Sequence, residues 1–274
     1  MEDIFKSYKE VMVRVPEKDL VFVLDGRTVT IPKGSFKISD AASILFRCQQ
    51  EVALKYEASF KLAESKRLLQ PIEVKPKEKL TRERKERKAL AKASEVTHKE
   101  RFGDMSTFTS TENVRVLYRQ NNKGECPEFL IKGLYKGYGF IGKVDKFTFT
   151  LDGSKIKELV VLEEKYTRSG TPTEDFWAQC VLYSYFIGEA FGTKDVYCRL
   201  DVFKKDDTTV RKTKEGYISR FYPDAIRYLD RIVDFFDKKE FADLDSSMGC
   251  KYCDFGRTGM GCPLVDGWSI LKPK

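Results

Sequence analysis

Residues 20 to 31, Leu-Val-Phe-Val-Leu-Asp-Gly-Arg-Thr-Val-Thr-Ile, alternate about Asp25-Gly26. Asp-Gly favours a tight two-residue turn, so the segment predicts a β-hairpin. Ser39 or Asp40 can cap a helix that follows, in which Leu45, Cys48, Val52, Leu54 and Tyr56 lead on toward Leu69. Pro71 and Pro76 interrupt it, and a second helix rich in Arg, Lys, Glu and Ala is expected over 81–101. Strands are predicted near 114–118, 128–132, 140–151 and 159–166, then a helix over 174–191, a strand over 195–203 and a helix over 223–239. This order of elements predicts a mixed α/β core. No internal repeat or Ser/Gly linker divides the chain, so one domain over 1–274 is expected. Its parts are a hairpin addition (1–38), a helical part (39–110), the core (111–240) and a cysteine-rich tail (241–274).

Composition narrows the picture only a little. A chain of 274 residues with 41% apolar content can bury a sizeable core. Lys and Arg number 50 against 42 Asp and Glu, a net charge of +8, which suits a polyanionic partner without demanding one. Charges at Glu2, Asp3, Lys6, Lys9, Glu10, Arg14, Glu17 and Lys18 leave no apolar export segment, and no later run reaches membrane-spanning length. A soluble, cytoplasmic protein without a membrane partner is expected. Seven cysteines, an odd number, argue against a disulfide framework and direct attention to ligation.

The densest candidate chemistry lies between two strands. Leu159, Val160, Val161 and Leu162 read as a buried strand that ends in Glu163, Glu164 and Lys165. Alternate residues of a strand share a face, so Glu163 and Lys165 point one way and Glu164 the other. Asp145 follows Gly142 in Gly142-Lys143-Val144-Asp145, within an alternating run of Ile141, Lys143, Asp145, Phe147 and Phe149. Asp152-Gly153 marks a turn between the runs, so a hairpin-like arrangement brings Asp145 beside Glu163. Two close carboxylates repel unless a cation lies between them, which makes Mg²⁺ or Mn²⁺ the natural occupant. Such an ion polarises a phosphoryl oxygen and acidifies water, while Lys165 can hold the attacking water or stabilise developing charge.

Other residues join this set by position. His98 is the single histidine, and imidazole would favour Mn²⁺ over Mg²⁺. Gln179 and Tyr183 share one helix face at i and i+4, either as part of a site or as polar groups in a core helix. Cys250, Cys253 and Cys262 place three thiolates close together in the tail, and Cys48 is the preferred fourth ligand; Zn²⁺ and a [4Fe-4S] cluster fit this set equally well. Cys126, in a loop, and Cys180 and Cys198, in apolar elements, read as plain cysteines. The basic segment over 75–92, with Lys85, Arg87, Lys88 and Lys92, is either a solvated helix laced by ion pairs or a phosphate-contacting surface. Tyr135, Tyr138, Phe140 and Tyr166 are candidates for stacking on the bases of a single strand.

Taken in order, Cys48, His98, Gly142-x-x-Asp145, Glu163-x-Lys165, Gln179-x-x-x-Tyr183 and the three tail cysteines resemble the iron–sulfur branch of RecB-type nucleases in the PD-(D/E)XK superfamily. The absence of a helicase phosphate loop makes the chain most like the CRISPR-associated members, the family called Cas four. The resemblance implies a restriction-endonuclease-like core, with a mixed sheet flanked by helices and N- and C-terminal segments joined by an iron–sulfur cluster. It implies a DNA exonuclease acting on single strands or strand ends, dependent on Mn²⁺ or Mg²⁺, that trims new spacer precursors beside the CRISPR integrase complex. His98, Asp145 and Glu163 would bind the metal, with the Glu164 carbonyl as a further ligand. Lys165 would activate water, while Gln179 and Tyr183 orient the lysine and the DNA. Cys48, Cys250, Cys253 and Cys262 would hold a [4Fe-4S] cluster. A RecB-like repair or viral recombination nuclease outside CRISPR, and a metal-stapled DNA-binding subunit without catalysis, are the alternatives.

Overall fold

The computed structural model describes residues 18–24, 27–46, 51–52, 118–120, 123–152, 155–167, 169–204 and 210–238. Strands β1 (Lys18–Leu24) and β2 (Arg27–Gly34) form the expected antiparallel hairpin, with Leu24 opposite Arg27. A two-residue strand β3 (Phe36–Lys37) leads into helix α1 (Ile38–Phe46). The continuation expected toward Leu69, the helix over 81–101 and the tail from 241 lie outside the described residues, as do Cys48, Lys85, Arg87, Lys88, Lys92, His98, Cys250, Cys253 and Cys262.

The remaining elements are β4 (Tyr118–Gln120), β5 (Lys123–Tyr135), β6 (Tyr138–Asp152), β7 (Lys155–Thr167), α2 (Glu174–Phe191), β8 (Val196–Lys204), β9 (Val210–Tyr217) and α3 (Ile218–Lys238). They build one sheet in the order β4-β5-β6-β7-β8-β9, with β3 added beside β6. The β7–β8 and β3–β6 pairs are parallel and the others antiparallel, so the sheet is mixed, as expected for this α/β chain. The helix α2 that links parallel β7 and β8 is buried from Trp177 through Gly188, apolar nearly all round because the sheet, α1 and α3 enclose it. Beneath it Leu159, Val161, Val196, Cys198, Leu200 and Val202 are fully buried.

Three departures from the sequence reading have local causes. First, β5 and β6 run much closer together in sequence than expected, joined by a tight turn in which Lys136 (φ 46°) and Gly137 (φ 79°) are both left-handed. That geometry matches the twist of a hairpin, and the salt bridge of Lys136 to Asp230 on α3 (2.6 Å) holds its tip. Second, β9 escapes a hydrophobicity-based reading because Lys212, Lys214 and Glu215 fill an edge strand, where charge discourages further pairing. Third, α3 starts at Ile218, directly after β9, and runs through Pro223, where the start of this helix was expected.

What positions the chemistry is a fork in the sheet. The β6–β7 ladder runs from Asp152–Lys155 to Lys146–Leu162 and ends there. Beyond it β3 pairs with Phe140 and Ile141 of β6, while β7 continues along β8 as far as Thr167 opposite Lys204. Phe36 of β3 packs into the wedge against Phe140 and Phe236, with ring centroids 5.6 and 3.8 Å away. Buried positions of β6 shift from Phe140 and Val144 to Phe147 and Phe149 across the fork, so the simple alternation expected over 141–149 is broken at Asp145 and Lys146.

Candidate active site

Asp145 sits at the fork, one residue past the last β6–β7 pair, and Oδ2 of its side chain accepts the backbone N–H of Glu164 (2.7 Å). The carboxylate thereby replaces a rung of the ladder and ties the splayed strands together. Glu163 is 1% exposed and lies in register with Leu200 on the face covered by α2. Its Oε1 accepts hydrogen bonds from Lys165 Nζ and from Gln179 Nε2, the latter at 2.8 Å. The same Gln179 amide donates to the Tyr183 hydroxyl (3.1 Å), so the i, i+4 pair on α2 acts as one unit over the acid.

Gly142 explains why Tyr183 fits. A Cβ there would lie 2.6 Å from Cε1 of the tyrosine and 3.1 Å from its hydroxyl, so the bare backbone of β6 forms the seat of the ring. The spacing Gly142-x-x-Asp145 thus places an α2 seat and a fork carboxylate on one strand.

Electrostatics bind the cluster further. Burial, then the Asp145 charge, pushes the Glu163 carboxyl up from 4.5 to about 8, with Lys165 opposing the shift. Burial alone would lower Lys165, but the charges of Glu163 and Asp145 outweigh it and hold its ammonium above the usual lysine value. Tyr183 is raised well above the ordinary tyrosine value, by burial first and then by Glu163, and stays protonated. Glu163 Oε2 is the exception in this network: it is buried and has no hydrogen-bond partner among the described residues. A buried carboxylate oxygen without a donor is costly, and a proton or a cation relieves it.

The donor set therefore fits a divalent ion in part. Among the described residues no three His, Cys, Asp or Glu side chains gather into a metal site. Asp145 and the orphaned Glu163 Oε2 are hard oxygen donors of the kind Mg²⁺ and Mn²⁺ take, and the ammonium of Lys165 stands beside them.

The structure brings together Asp145, Glu163, Lys165, Gln179 and Tyr183. Glu164 points to the opposite face, as alternation requires, and lines a groove of about 410 Å³ with Lys146, Thr148, Val160, Leu162, Arg199 and Asp201. Cys126, expected in a loop, is instead a buried residue of β5. Burial pushes its thiol and that of Cys198 up to about 12, and raises Cys180 as well, so all three are protonated core groups. Of the candidate stacking residues, Phe140 is 1% exposed and unavailable, and Tyr135 and Tyr138 donate to Asp230 and Asp237 of α3. Tyr166 already stacks on Phe203 at 4.8 Å. Thr167, one further step along the Glu163–Lys165 alternation, has a buried Oγ1 with no hydrogen-bond partner among the described residues.

No family model and no curated protein matches the sequence. Among solved structures the chain is similar to SSO0001, at 16% identity and a TM-score of 0.43 over 95% of this chain and 93% of that one. It is also similar to a candidate exonuclease from Eubacterium rectale, at 9% identity and a TM-score of 0.42 over 80% of this chain and 87% of that one. Scores at this level carry no weight for fold or chemistry. Among the described residues no helix is long and apolar enough to cross a membrane.

Proposed function

We propose that this chain is a divalent-metal-dependent DNA nuclease with a PD-(D/E)XK-type core, trimming single strands or strand ends. One observation carries the reading: a buried glutamate with one oxygen held by Lys165 and Gln179 and the other without a hydrogen-bond partner among the described residues, beside an aspartate fixed at a strand fork. An oxygen left over from the Lys165–Gln179 pairing is available to a cation that displaces the Glu163 proton.

Asp145 and Glu163 would hold Mn²⁺ or Mg²⁺, with His98 and the Glu164 carbonyl as further ligands. When bound, such an ion polarises a phosphoryl oxygen and lowers the pKa of water. Lys165, held against Glu163 Oε1, would present its ammonium to the charge that develops on the scissile phosphate or to the attacking water. Gln179 donates to Oε1 of Glu163 on the side of the lysine, which would leave Oε2 to hold the metal. Tyr183, seated on Gly142, fixes Gln179 in turn.

The reading extends to a [4Fe-4S] cluster on Cys48, Cys250, Cys253 and Cys262, with Zn²⁺ as the competing occupant, and to phosphate contact by Lys85, Arg87, Lys88 and Lys92. Its cellular setting would be CRISPR spacer acquisition, with precursor trimming beside the integrase complex. Anaerobically prepared protein should be brown and contain iron and sulfide; a colourless preparation with stoichiometric zinc refutes the cluster. Incubated with end-labelled single and double strands, the protein should cut with Mn²⁺ or Mg²⁺ and not with EDTA. Asp145→Ala and Lys165→Ala should each slow cleavage by about a thousandfold, equivalent to ~4 kcal/mol of transition-state stabilisation. Wild-type rates in either variant refute the assignment.

A further inference from the structure

The same sheet face carries more than the catalytic cluster. Directly opposed residues of neighbouring strands share a face, so two rows can be followed outward from the site. Glu163 is in register with Leu200 and then with Lys214 of β9, and Lys165 with Val202 and then with Lys212. One step further along β7, Thr167 pairs with Lys204. Lys212 and Lys214 therefore lie two strands from the active acids, a lateral distance of about 10 Å at ordinary strand spacing. Contact with α2 fixes the side: Lys214 lies 4.9 Å from the centre of the Trp177 ring and bridges to Glu174 (3.2 Å).

Lys204, at the end of β8, and Lys212, on the edge strand β9, are exposed. Lys214 bridges to Glu174, whose side chain is 63% exposed, so the pair dissolves at little cost when a stronger anion arrives. Thr167 adds an independent signal, because its Oγ1 is buried and has no hydrogen-bond partner among the described residues. A hydroxyl can donate to a phosphate oxygen and so be satisfied by a ligand. Glu163 Oε2 and Thr167 Oγ1, the two oxygens of this face without a hydrogen-bond partner among the described residues, thus flank Lys165 by two residues on either side.

We propose that Thr167, Lys204, Lys212 and Lys214 form a phosphate track for single-stranded DNA that feeds the scissile bond to the Asp145–Glu163–Lys165 centre. The track rests on the nuclease reading for its purpose but not for its chemistry. Thr167 donates to the phosphate next to the one being cut, and the lysines neutralise those that follow across the sheet edge. Binding here does not depend on base sequence, because only backbone oxygens are contacted.

The test is fluorescence anisotropy of a labelled oligothymidylate in EDTA over a range of salt concentrations. The triple variant Lys204→Ala, Lys212→Ala, Lys214→Ala should bind at least tenfold more weakly at low salt. Its log–log salt slope should be flatter by about 2, since each single-strand phosphate contact contributes about 0.7. Thr167→Val should weaken binding severalfold with the slope unchanged, and Lys212→Glu alone should exceed the effect of Lys212→Ala. Thermal melts establish that each variant is folded. Wild-type affinity and slope in the triple variant overturn the track, even if Asp145→Ala has abolished cleavage. Loss of binding in the triple variant of a protein that never cuts DNA sustains the track and removes the nuclease reading. A wild-type protein that binds no oligonucleotide removes both.

Discussion

Gly142→Ala tests the chain of contacts that presets the glutamate. The added Cβ would stand 2.6 Å from Cε1 of Tyr183, and ordinary contact begins at 3.4 Å, so ring and strand must separate by at least 3.4 − 2.6 = 0.8 Å. Tyr183 is 3% exposed beneath the rest of α2, so the ring cannot simply swing into solvent. A shift of that size lengthens the 3.1 Å Gln179–Tyr183 hydrogen bond beyond useful range and frees the amide to leave Glu163. Overpacking of this kind costs about 1–3 kcal/mol, to which a weakened buried hydrogen bond adds about 1 kcal/mol. Urea denaturation should therefore show a lower midpoint with an unchanged slope. Under single-turnover conditions at saturating DNA the cleavage rate should drop at least tenfold, because Glu163 no longer holds one rotamer. A stable alanine variant with the wild-type rate would show that the glycine seat has no part in orienting the acid.

Other predictions concern the same network. Gln179→Leu keeps the volume but removes donors from Glu163 and Tyr183; it should cost about 1–3 kcal/mol by denaturation and raise the metal concentration needed for half-maximal cleavage. Folded Glu163 binds its proton more tightly than the unfolded chain does, about 8 against 4.5, so metal-free stability should decline as pH rises through that window. The decline is at most about 1.4 kcal/mol per unit and should vanish in Glu163→Gln; urea midpoints in EDTA at about pH 5 and about pH 8 measure it, and parallel pH profiles for the two proteins would reject it. A divalent ion bound as proposed would displace that proton, so its affinity should rise with pH and calorimetry should detect proton release on binding. Cys126, Cys180 and Cys198 should resist maleimide labelling until the protein unfolds, as mass mapping of the native protein can show.

Local periodicity was enough to find the β1–β2 hairpin, the β6 and β7 strands, the α2 helix and the opposite faces of Glu163 and Glu164. Each of these depends on spacings of two to four residues that the chain carries wherever it folds. The Gln179–Tyr183 pair was legible for the same reason, since i and i+4 on a helix meet regardless of what the helix packs against. The edge strand β9 was not legible, because its charged residues answer to a sheet margin defined by β8.

Nor was the fork legible. Asp145 ties β6 to β7 because β3 occupies the other half of β6, and the residues that decide this, Phe36 and Phe236, are far apart in the sequence. The solitary oxygen of Glu163 depends on which donors α2 delivers and which it withholds. Sequence alone therefore determined which chemical groups share a face. Only tertiary packing, by setting the local dielectric and the distances across strands, decided which of them are buried, satisfied or left for a ligand.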